Sequence, residues 1–195
     1  MTTTPAPTAP PAPPSVLPLA TGVWTVDPNH SGVHFRVRHL GVSNVRGRFN
    51  RFDATLHVGT SLNDTSVAAS IDMTSVDTNQ ADRDAHLRST DFFAAELHPE
   101  LLFRSTRIHH RGGDDYQLDG VLTINGVSQP VTLDVELSGV QVHPGDGLNH
   151  AGFYATTEIS RSDFGIDFNM PLGVAKLALG DKIKIELDLQ FTPHS

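Results

Sequence analysis

Arginine is the residue type whose spacing most directly indicates binding chemistry in this chain. Five of the fourteen basic residues fall within sixteen positions: Arg36, Arg38, Arg46, Arg48 and Arg51. Guanidinium groups present several N–H donors in a fixed fork, which suits the oxygens of a phosphate or pyrophosphate head group. Arg46 and Arg48, on either side of Gly47, are the preferred head-group candidates. The alternative is a solvated strand face whose charges balance nearby acidic residues.

Eleven histidines raise the question of a metal site. His109, His110, His143 and His150 lie at the ends of predicted strands that neighbour one another. Zinc sites use three or four such ligands, and further carboxylates or carbonyls orient the ligating imidazoles. No accompanying pattern of carboxylates is evident around these four positions. The sequence therefore predicts surface histidines and no metal site.

Nucleophilic and cofactor chemistry find little support in the sequence. The chain contains no cysteine, and no G-x-S-x-G elbow surrounds any serine. It also contains no glycine-rich phosphate loop and no dinucleotide fingerprint. We interpret Asp163, in the segment RSDFG, as part of a structural turn in which its carboxylate caps the turn or pairs with Arg161. We therefore expect no catalytic residues, no enzyme activity and no cofactor.

The net charge and the first twenty residues indicate which kinds of partner and which cellular location to expect. A formal net charge of −8 disfavours nucleic-acid binding, which needs a cationic face. The apolar runs are too short to cross a bilayer as helices. Residues 1–20 hold seven of the thirteen prolines and no charged side chain, which predicts a disordered tail before one domain at 21–195. Because this tail lacks the basic start and unbroken apolar core of a secretory signal, we expect a cytoplasmic protein.

The most strongly specified element is a hairpin over residues 116–137 (YQLDGVLTINGVSQPVTLDVEL). Asn125-Gly126 is a preferred pair for a type I′ turn, since both central residues of that turn need φ > 0. The resulting register sets five pairs opposite each other: Ile124 and Val127, Leu118 and Leu133, Tyr116 and Val135, Asp119 and Thr132, Gln117 and Asp134. Pro130 has no N–H to donate to the ladder, so it predicts a bulge or a sheet edge.

Alternation of apolar and polar residues along the rest of the chain predicts eight or nine long strands. Residues 182–191 show the pattern most cleanly, with an apolar residue at every second position. One helix is predicted after its cap at Asn79, and a short helical turn near Asp91. Long strands with one apolar face must close into a barrel or pair as a sandwich. We predict an all-β, extended antiparallel barrel of about eight strands with one or two short helices, either filled by side chains or holding one ligand.

Five segments of the chain together resemble one protein family. They are WTVDPNHSGVHFRVRHLGVSNVRGRF (24–49), SIDMTSVDTNQADRDAHLRSTDFF (70–93), HPELLFRST (98–106), LDGVLTINGVSQPVTLDVE (118–136) and GFYATTEISRSDFGI (152–166). In this order they resemble the YceI family of lipocalin-like, polyisoprenoid-binding proteins, over residues 22–191. The resemblance implies a lipocalin-like barrel whose tunnel takes a polyisoprenoid or similar long-chain amphiphile. Relatives often form homodimers, for which a strand edge near Pro130 or the terminal strand offers a contact.

An isoprenoid ligand needs a dry tunnel, because its burial is worth about 25 cal/mol for each Å² removed from water. The candidate lining residues are Val33, Phe35, Val37, Phe49, Ile71, Met73, Leu133, Val135, Phe153 and Ile185. An ordinary filled core would use the same positions. The expected function is non-enzymatic binding, sequestration or transport of a polyisoprenoid or similar amphiphile. The alternative is an interaction or stress-protection protein with a side-chain-filled barrel and no lipid ligand.

Overall fold

The computed structural model describes residues 16–171 and 178–194, so residues 1–15 of the predicted tail lie outside the described residues. The strands are β1 Gly22–Val26, β2 Gly32–His39, β3 Ser43–Phe49, β4 Phe52–Val58, β5 Ser66–Asp72, β6 Val76–Asp77, β7 Glu100–Gly112, β8 Asp115–Ile124, β9 Val127–Val142, β10 Asn149–Ser160 and β11 Leu179–Pro193. Helix α1 spans Ala81–Arg88, and 3-10 turns span Pro28–His30, Leu62–Asp64, Met73–Ser75 and Arg161–Phe164. Within the predicted tail segment, Leu17 is buried and the Ala20 carbonyl accepts a 2.9 Å hydrogen bond from Trp24 Nε1. The packed part of the chain therefore begins before residue 20.

The strands form a closed antiparallel barrel. Three long strands are each interrupted once, so that β1 continues as β2, β3 as β4, and β5 as β6. Counting each interrupted strand once turns the eleven described strands into eight. β11 closes the ring, because it pairs with β10 on one side and with β1 and β2 on the other. This confirms the predicted fold class, an all-β lipocalin-like barrel with one α-helix among the described residues.

The hairpin at residues 116–137 forms as predicted. Asn125 and Gly126 have φ values of 52° and 76°, both in the left-handed region that a type I′ turn requires. All five predicted residue pairs lie opposite each other. The turn also anchors the segment after α1, because Asn125 Nδ2 donates a 2.6 Å hydrogen bond to the Phe92 carbonyl.

Pro130 lies at a sheet edge and not in a bulge. It stands opposite Val121 in a β8–β9 ladder that keeps one register over all its described pairs. On the other side of β9, pairing with β10 ends at Asp134 opposite Thr156, so the missing N–H of Pro130 interrupts no ladder there. The other predicted edge, at the terminal strand, is wrong, because β11 is paired on both sides to close the ring. The homodimer stays a prediction.

Helix α1 begins one residue later than a cap at Asn79 would place it. Gln80 is the N-cap residue, and its side chain accepts a 2.5 Å hydrogen bond from the backbone N–H of Arg83. Asn79 instead adopts a left-handed conformation, with a φ of 61°. The buried carboxylate of Asp84 accepts bonds from the backbone N–H and the hydroxyl of Thr78. These bonds fix the helix against the end of β6.

Gly120 on β8 is a position where a side chain would disrupt the barrel wall. A Cβ there would lie 2.4 Å from the Phe103 ring and 2.7 Å from the backbone oxygen of Arg104. Because that oxygen belongs to the wall itself, Gly120→Ala is expected to lower the free energy of unfolding by about 1–3 kcal/mol. Gly152→Ala on β10 is the matched control, since its Cβ would meet no described atom closer than 3.6 Å. Denaturant unfolding measures both variants, and equal stabilities would contradict the prediction.

Candidate functional site

A cavity of about 570 Å³ lies inside the barrel. Every second residue of each strand faces inward, and most of these inward residues are apolar, so the cavity wall is mostly apolar. On β11 the inward residues that line it are Ile183, Ile185, Leu187, Leu189 and Phe191. Small-molecule sites occupy roughly 300–1,000 Å³, so the volume is large enough for a ligand. The centre of the barrel is therefore not filled by its own side chains.

The cavity is elongated along the strands and closed at one end. Phe153 and Ile159 on β10 both line it, and six residues at about 3.3 Å each give a length of roughly 20 Å. Beyond Phe153, Trp24, Val58 and Ala151 are at most 1% exposed and belong to the packed core, not to the cavity wall. These side chains fill the barrel at this end.

All ten residues predicted to line a tunnel form part of this wall. They are Val33, Phe35, Val37, Phe49, Ile71, Met73, Leu133, Val135, Phe153 and Ile185. Nine of them lie on strands, and Met73 lies on the 3-10 turn after β5. The structure thus brings the whole predicted set together around one space. That these side chains contact a ligand stays a prediction.

At its other end the cavity is lined by residues that are either polar or exposed. This end, called the mouth, is formed by Thr78, Arg83, His86, Arg161 and Met170. The side chain of His86 is 45% exposed and Met170 is 57% exposed. Because these two residues contact both solvent and the cavity, the cavity opens between α1 and the segment that follows β10.

Aromatic rings join the two sides of the mouth. His86 makes edge-to-face contacts with Phe92 and Phe168, each with ring centroids 5.0 Å apart. The rings of Phe92 and Phe168 are themselves 5.1 Å apart. His86 Nε2 also lies 2.8 Å from Asp91 Oδ2. Side-chain packing, and not strand pairing, therefore determines how wide the mouth is.

Arg161 is a buried guanidinium, for which the only predicted role was to pair with Asp163, as the alternative to a turn capped by the Asp163 carboxylate. It is 7% exposed and donates to the carbonyls of Ile166 at 2.6 Å, Phe168 at 2.9 Å and Gly180 at 3.1 Å. The expected pairing with Asp163 is wrong, since no carboxylate of the described residues lies within ion-pair distance of Arg161. One feature of the sequence could have indicated the position of Arg161. The RSDFG segment directly follows an alternating strand, so Arg161 lies where the chain leaves the barrel wall.

Comparison with known proteins agrees with this architecture. The family model described as a YceI-like domain matches residues 24–191. The chain belongs to the YceI family. A UPF0312 protein of Staphylococcus epidermidis is 36% identical over 170 residues, which cover 87% of this chain and 96% of the relative. A UPF0312 protein of Pectobacterium atrosepticum is 43% identical over 138 residues, which cover 70% of this chain and 71% of the relative.

Solved structures of YceI-like proteins share the fold. A Campylobacter jejuni YceI protein is 28% identical with a TM-score of 0.69, covering 81% of this chain and 90% of its own. Burkholderia cenocepacia BcnA is 23% identical with a TM-score of 0.73, covering 85% and 98%. A polyisoprenoid binding domain from Saccharophagus degradans is 15% identical with a TM-score of 0.64, covering 88% and 98%. Within the described part of this chain, no helix has the length and apolar character needed to span a membrane.

The two arginines predicted to bind a head group lie on the outer face of this YceI-family barrel. Gly47, between them, is buried against the inward-facing Phe35 ring, so the side chains of Arg46 and Arg48 face outward. There Arg48 forms a 3.1 Å ion pair with Asp77. The cationic groups of the mouth come from α1 and the 3-10 turn after β10 instead. The head-group role of Arg46 and Arg48 stays a prediction.

Tyr116 adds a phenol to the mostly apolar wall. Burial and, secondly, the nearby Asp114 carboxylate raise the pKa of Tyr116 above its ordinary value of 10.0. The phenol is therefore uncharged at neutral pH, and Tyr116 adds no charge to the cavity wall.

Two of the four histidines considered as metal ligands come together where the loop after β9 enters β10. The rings of His143 and His150 stack with centroids 4.9 Å apart. Asp146 contacts both, at 3.5 Å from His143 Nδ1 and 3.0 Å from His150 Nε2. His109 and His110 instead form hydrogen bonds within the β7–β8 hairpin. The sequence analysis missed Asp146, which lies in the middle of the loop.

Proposed function

We propose that this YceI-family protein binds a polyisoprenoid or similar long-chain amphiphile and sequesters or transports it, without catalysing a reaction. The observation that carries this proposal is the elongated apolar cavity of about 570 Å³. The similar domain from Saccharophagus degradans is described as polyisoprenoid binding, which supports the same ligand class here.

Burial of the hydrocarbon chain supplies the affinity. Each buried methylene group contributes about 0.8 kcal/mol, so about ten carbons correspond to roughly 8 kcal/mol before the entropic costs of association. Because the wall offers few polar partners, hydrogen bonding contributes little to the choice of ligand. The length and thickness of the chain therefore determine which lipid fits.

The polar end of such an amphiphile would lie at the mouth. Arg83 and Arg161 place two guanidinium groups in that part of the wall. The Thr78 hydroxyl is already donated to Asp84. By contrast, within the described residues Arg83 Nη1 and Arg161 Nη2 keep their N–H donors for a head group. A hydroxyl or phosphorylated head group needs such donors, or water, to replace its lost hydration. The closed end is bounded by the packed apolar core around Trp24, which suits a hydrocarbon chain and not a polar group. The ligand would therefore insert with its hydrocarbon end first.

The cavity also argues against the alternative function. An interaction or stress-protection protein with a filled barrel requires inward side chains that meet across the axis. The inward residues of β10 and β11 leave an open space over roughly 20 Å instead. An empty apolar cavity of this size costs stability, which a bound hydrocarbon chain would restore.

Lipid extraction followed by mass spectrometry tests the proposal. The full chain is purified, extracted with organic solvent and compared with an unrelated protein prepared in the same way. We expect a polyprenyl or similar long-chain species that approaches one molecule per chain. After delipidation, titration with polyprenols of several lengths should show saturable binding. A clean extract together with no saturable binding would contradict the proposal.

A further inference from the structure

The loop between β9 and β10, together with the start of β10, gathers three metal-ligating side chains outside the cavity. The ligand atoms of His143, Asp146 and His150 all lie within 4.8 Å of one another. The Asp146 carboxylate is the centre of the group, at 3.5 Å from His143 and 3.0 Å from His150. These three described side chains form no part of the cavity wall. The cluster is therefore separate from the proposed lipid site.

Backbone hydrogen bonds hold the loop in a shape that keeps the three side chains together. The His143 N–H donates to the Leu148 carbonyl, and the Gly147 N–H donates to the His143 carbonyl, both at 2.8 Å. Gly147 has a φ of 73°, which glycine adopts without strain. The Leu148 N–H also donates to Asp146 Oδ1 at 2.9 Å, which turns the carboxylate toward the histidines.

His150 is held in place from the neighbouring strand. Its side chain is 14% exposed, and its Nδ1 lies 2.9 Å from the side-chain amide of Gln190 on β11. In metal sites the second ring nitrogen of a ligating histidine is bonded to such a partner, which fixes the ring and its tautomer. The atom next to Nδ1 is the Gln190 amide nitrogen, which also donates to Asp27 Oδ2 at 3.4 Å, so in the metal-free chain Nδ1 accepts and Nε2 carries the proton. Metal binding would displace that proton and turn the Gln190 amide, so that its oxygen accepts from Nδ1–H and frees Nε2. That nitrogen is the one that faces Asp146.

We propose that His143, Asp146 and His150 bind one divalent transition-metal ion, of the class represented by Zn²⁺. Zn²⁺ accepts two imidazoles and a carboxylate at about 2.0–2.2 Å, whereas Mg²⁺ and Ca²⁺ select oxygen ligands. Bonds of that length in a tetrahedral site set the ligand atoms about 3.3 Å apart. The side chains of His143 and Asp146 are 52% and 43% exposed, and both would have to rotate to reach that spacing. His143 Nδ1 would then exchange the 3.2 Å hydrogen bond that it accepts from the Gly145 N–H for the metal. The fourth position faces solvent and takes a water molecule.

Calorimetric titration of the full, delipidated chain with ZnCl₂ tests this site. We expect one tight site per chain, with no comparable binding of Mg²⁺. His143→Ala, Asp146→Asn and His150→Ala should each raise the Kd of that site at least tenfold, because each removes one of only three protein ligands. Circular dichroism of each variant checks that the barrel is intact, which a change confined to the loop and the first residues of β10 should preserve.

His109→Ala is the matched control, because it removes another surface histidine that contacts a carboxylate. His109 Nε2 lies 3.1 Å from Asp119 Oδ2, and among the described residues His109 belongs to no group of three metal-ligating side chains. Its Kd for Zn²⁺ should equal that of the natural chain. Absence of a one-to-one site, or an equal loss in His109→Ala and His150→Ala, would overturn the proposal. Lipid binding is measured separately, so a failed zinc site leaves the lipid proposal untouched.

Discussion

Ala155→Trp is expected to weaken binding of a polyprenol more than a hundredfold while the barrel stays folded. Ala155 lies on β10 between Phe153 and Thr157, and all three residues line the cavity. An indole at this position would occupy space that the ligand needs near the middle of the cavity. Excluding about four carbons costs roughly 3 kcal/mol, which corresponds to more than a hundredfold in Kd. Fluorescence titration with a polyprenol measures the change.

Thr156→Trp is the matched control for this substitution. It introduces the same side chain one position along the same strand, on the outer face, because successive residues of a strand face opposite sides. Thr156 forms no part of the described cavity wall. We expect both variants to unfold as cooperatively as the natural chain, since the indole of Ala155→Trp enters existing space. Equal affinities of the two variants would contradict a ligand site inside the barrel.

The period-2 pattern accounts for the part of the site that could be predicted from sequence. Once the Asn125-Gly126 turn sets the register of β8 and β9, the inward positions of both strands follow. The same alternation on β11 fixes five further wall residues. It also explains why Arg46 and Arg48 do not reach the cavity, because they alternate with the inward Gly47. The alternation of inward and outward residues along β3 by itself places both arginine side chains on the outer face of the barrel.

Alternation does not distinguish a hollow barrel from a filled one. A residue such as Leu133 faces inward in either case, and the difference depends on how far apart the opposite walls stand. That separation is set by strand number and tilt, which are properties of the closed ring and not of any single strand. For this reason the sequence predicted the lining residues, while the volume of about 570 Å³ had to come from the structure.

The mouth and the histidine cluster depend on contacts between segments that are far apart in the chain. His86 on α1 meets Phe168 after β10, although eighty-two positions separate them in the sequence. Asp146 reaches both histidines only because the loop at Gly147 turns through a left-handed conformation. Neither contact follows from a local periodicity in the sequence. The contact between Asp146 and the two histidines could have been indicated only by the glycine in a loop that has a histidine at each end.

Arg161→Met is expected to lower the free energy of unfolding by about 3–5 kcal/mol. The methionine keeps much of the apolar stem but removes the donors that now satisfy the carbonyls of Ile166, Phe168 and Gly180. A buried carbonyl without a partner costs about 1–3 kcal/mol, and water offsets part of that cost at the Phe168 and Gly180 carbonyls, whose bonds are only partly buried. Since 1 kcal/mol shifts the Tm of a domain of this size by about 2–4 °C, the Tm should fall by roughly 10 °C.

Arg161→Lys separates the charge of this residue from the geometry of its donors. An ammonium group keeps the positive charge but lacks the planar fork that reaches carbonyls from both β11 and the segment after the 3-10 turn. If the hydrogen-bond geometry matters, Arg161→Lys should lose at least half as much stability as Arg161→Met, in the same denaturant titrations. Full rescue by lysine would show that the charge alone stabilises this part of the barrel. If both variants kept the free energy of unfolding of the natural chain, the three carbonyls would have found other donors. The segment after β10 would then be held at the mouth by its aromatic contacts alone.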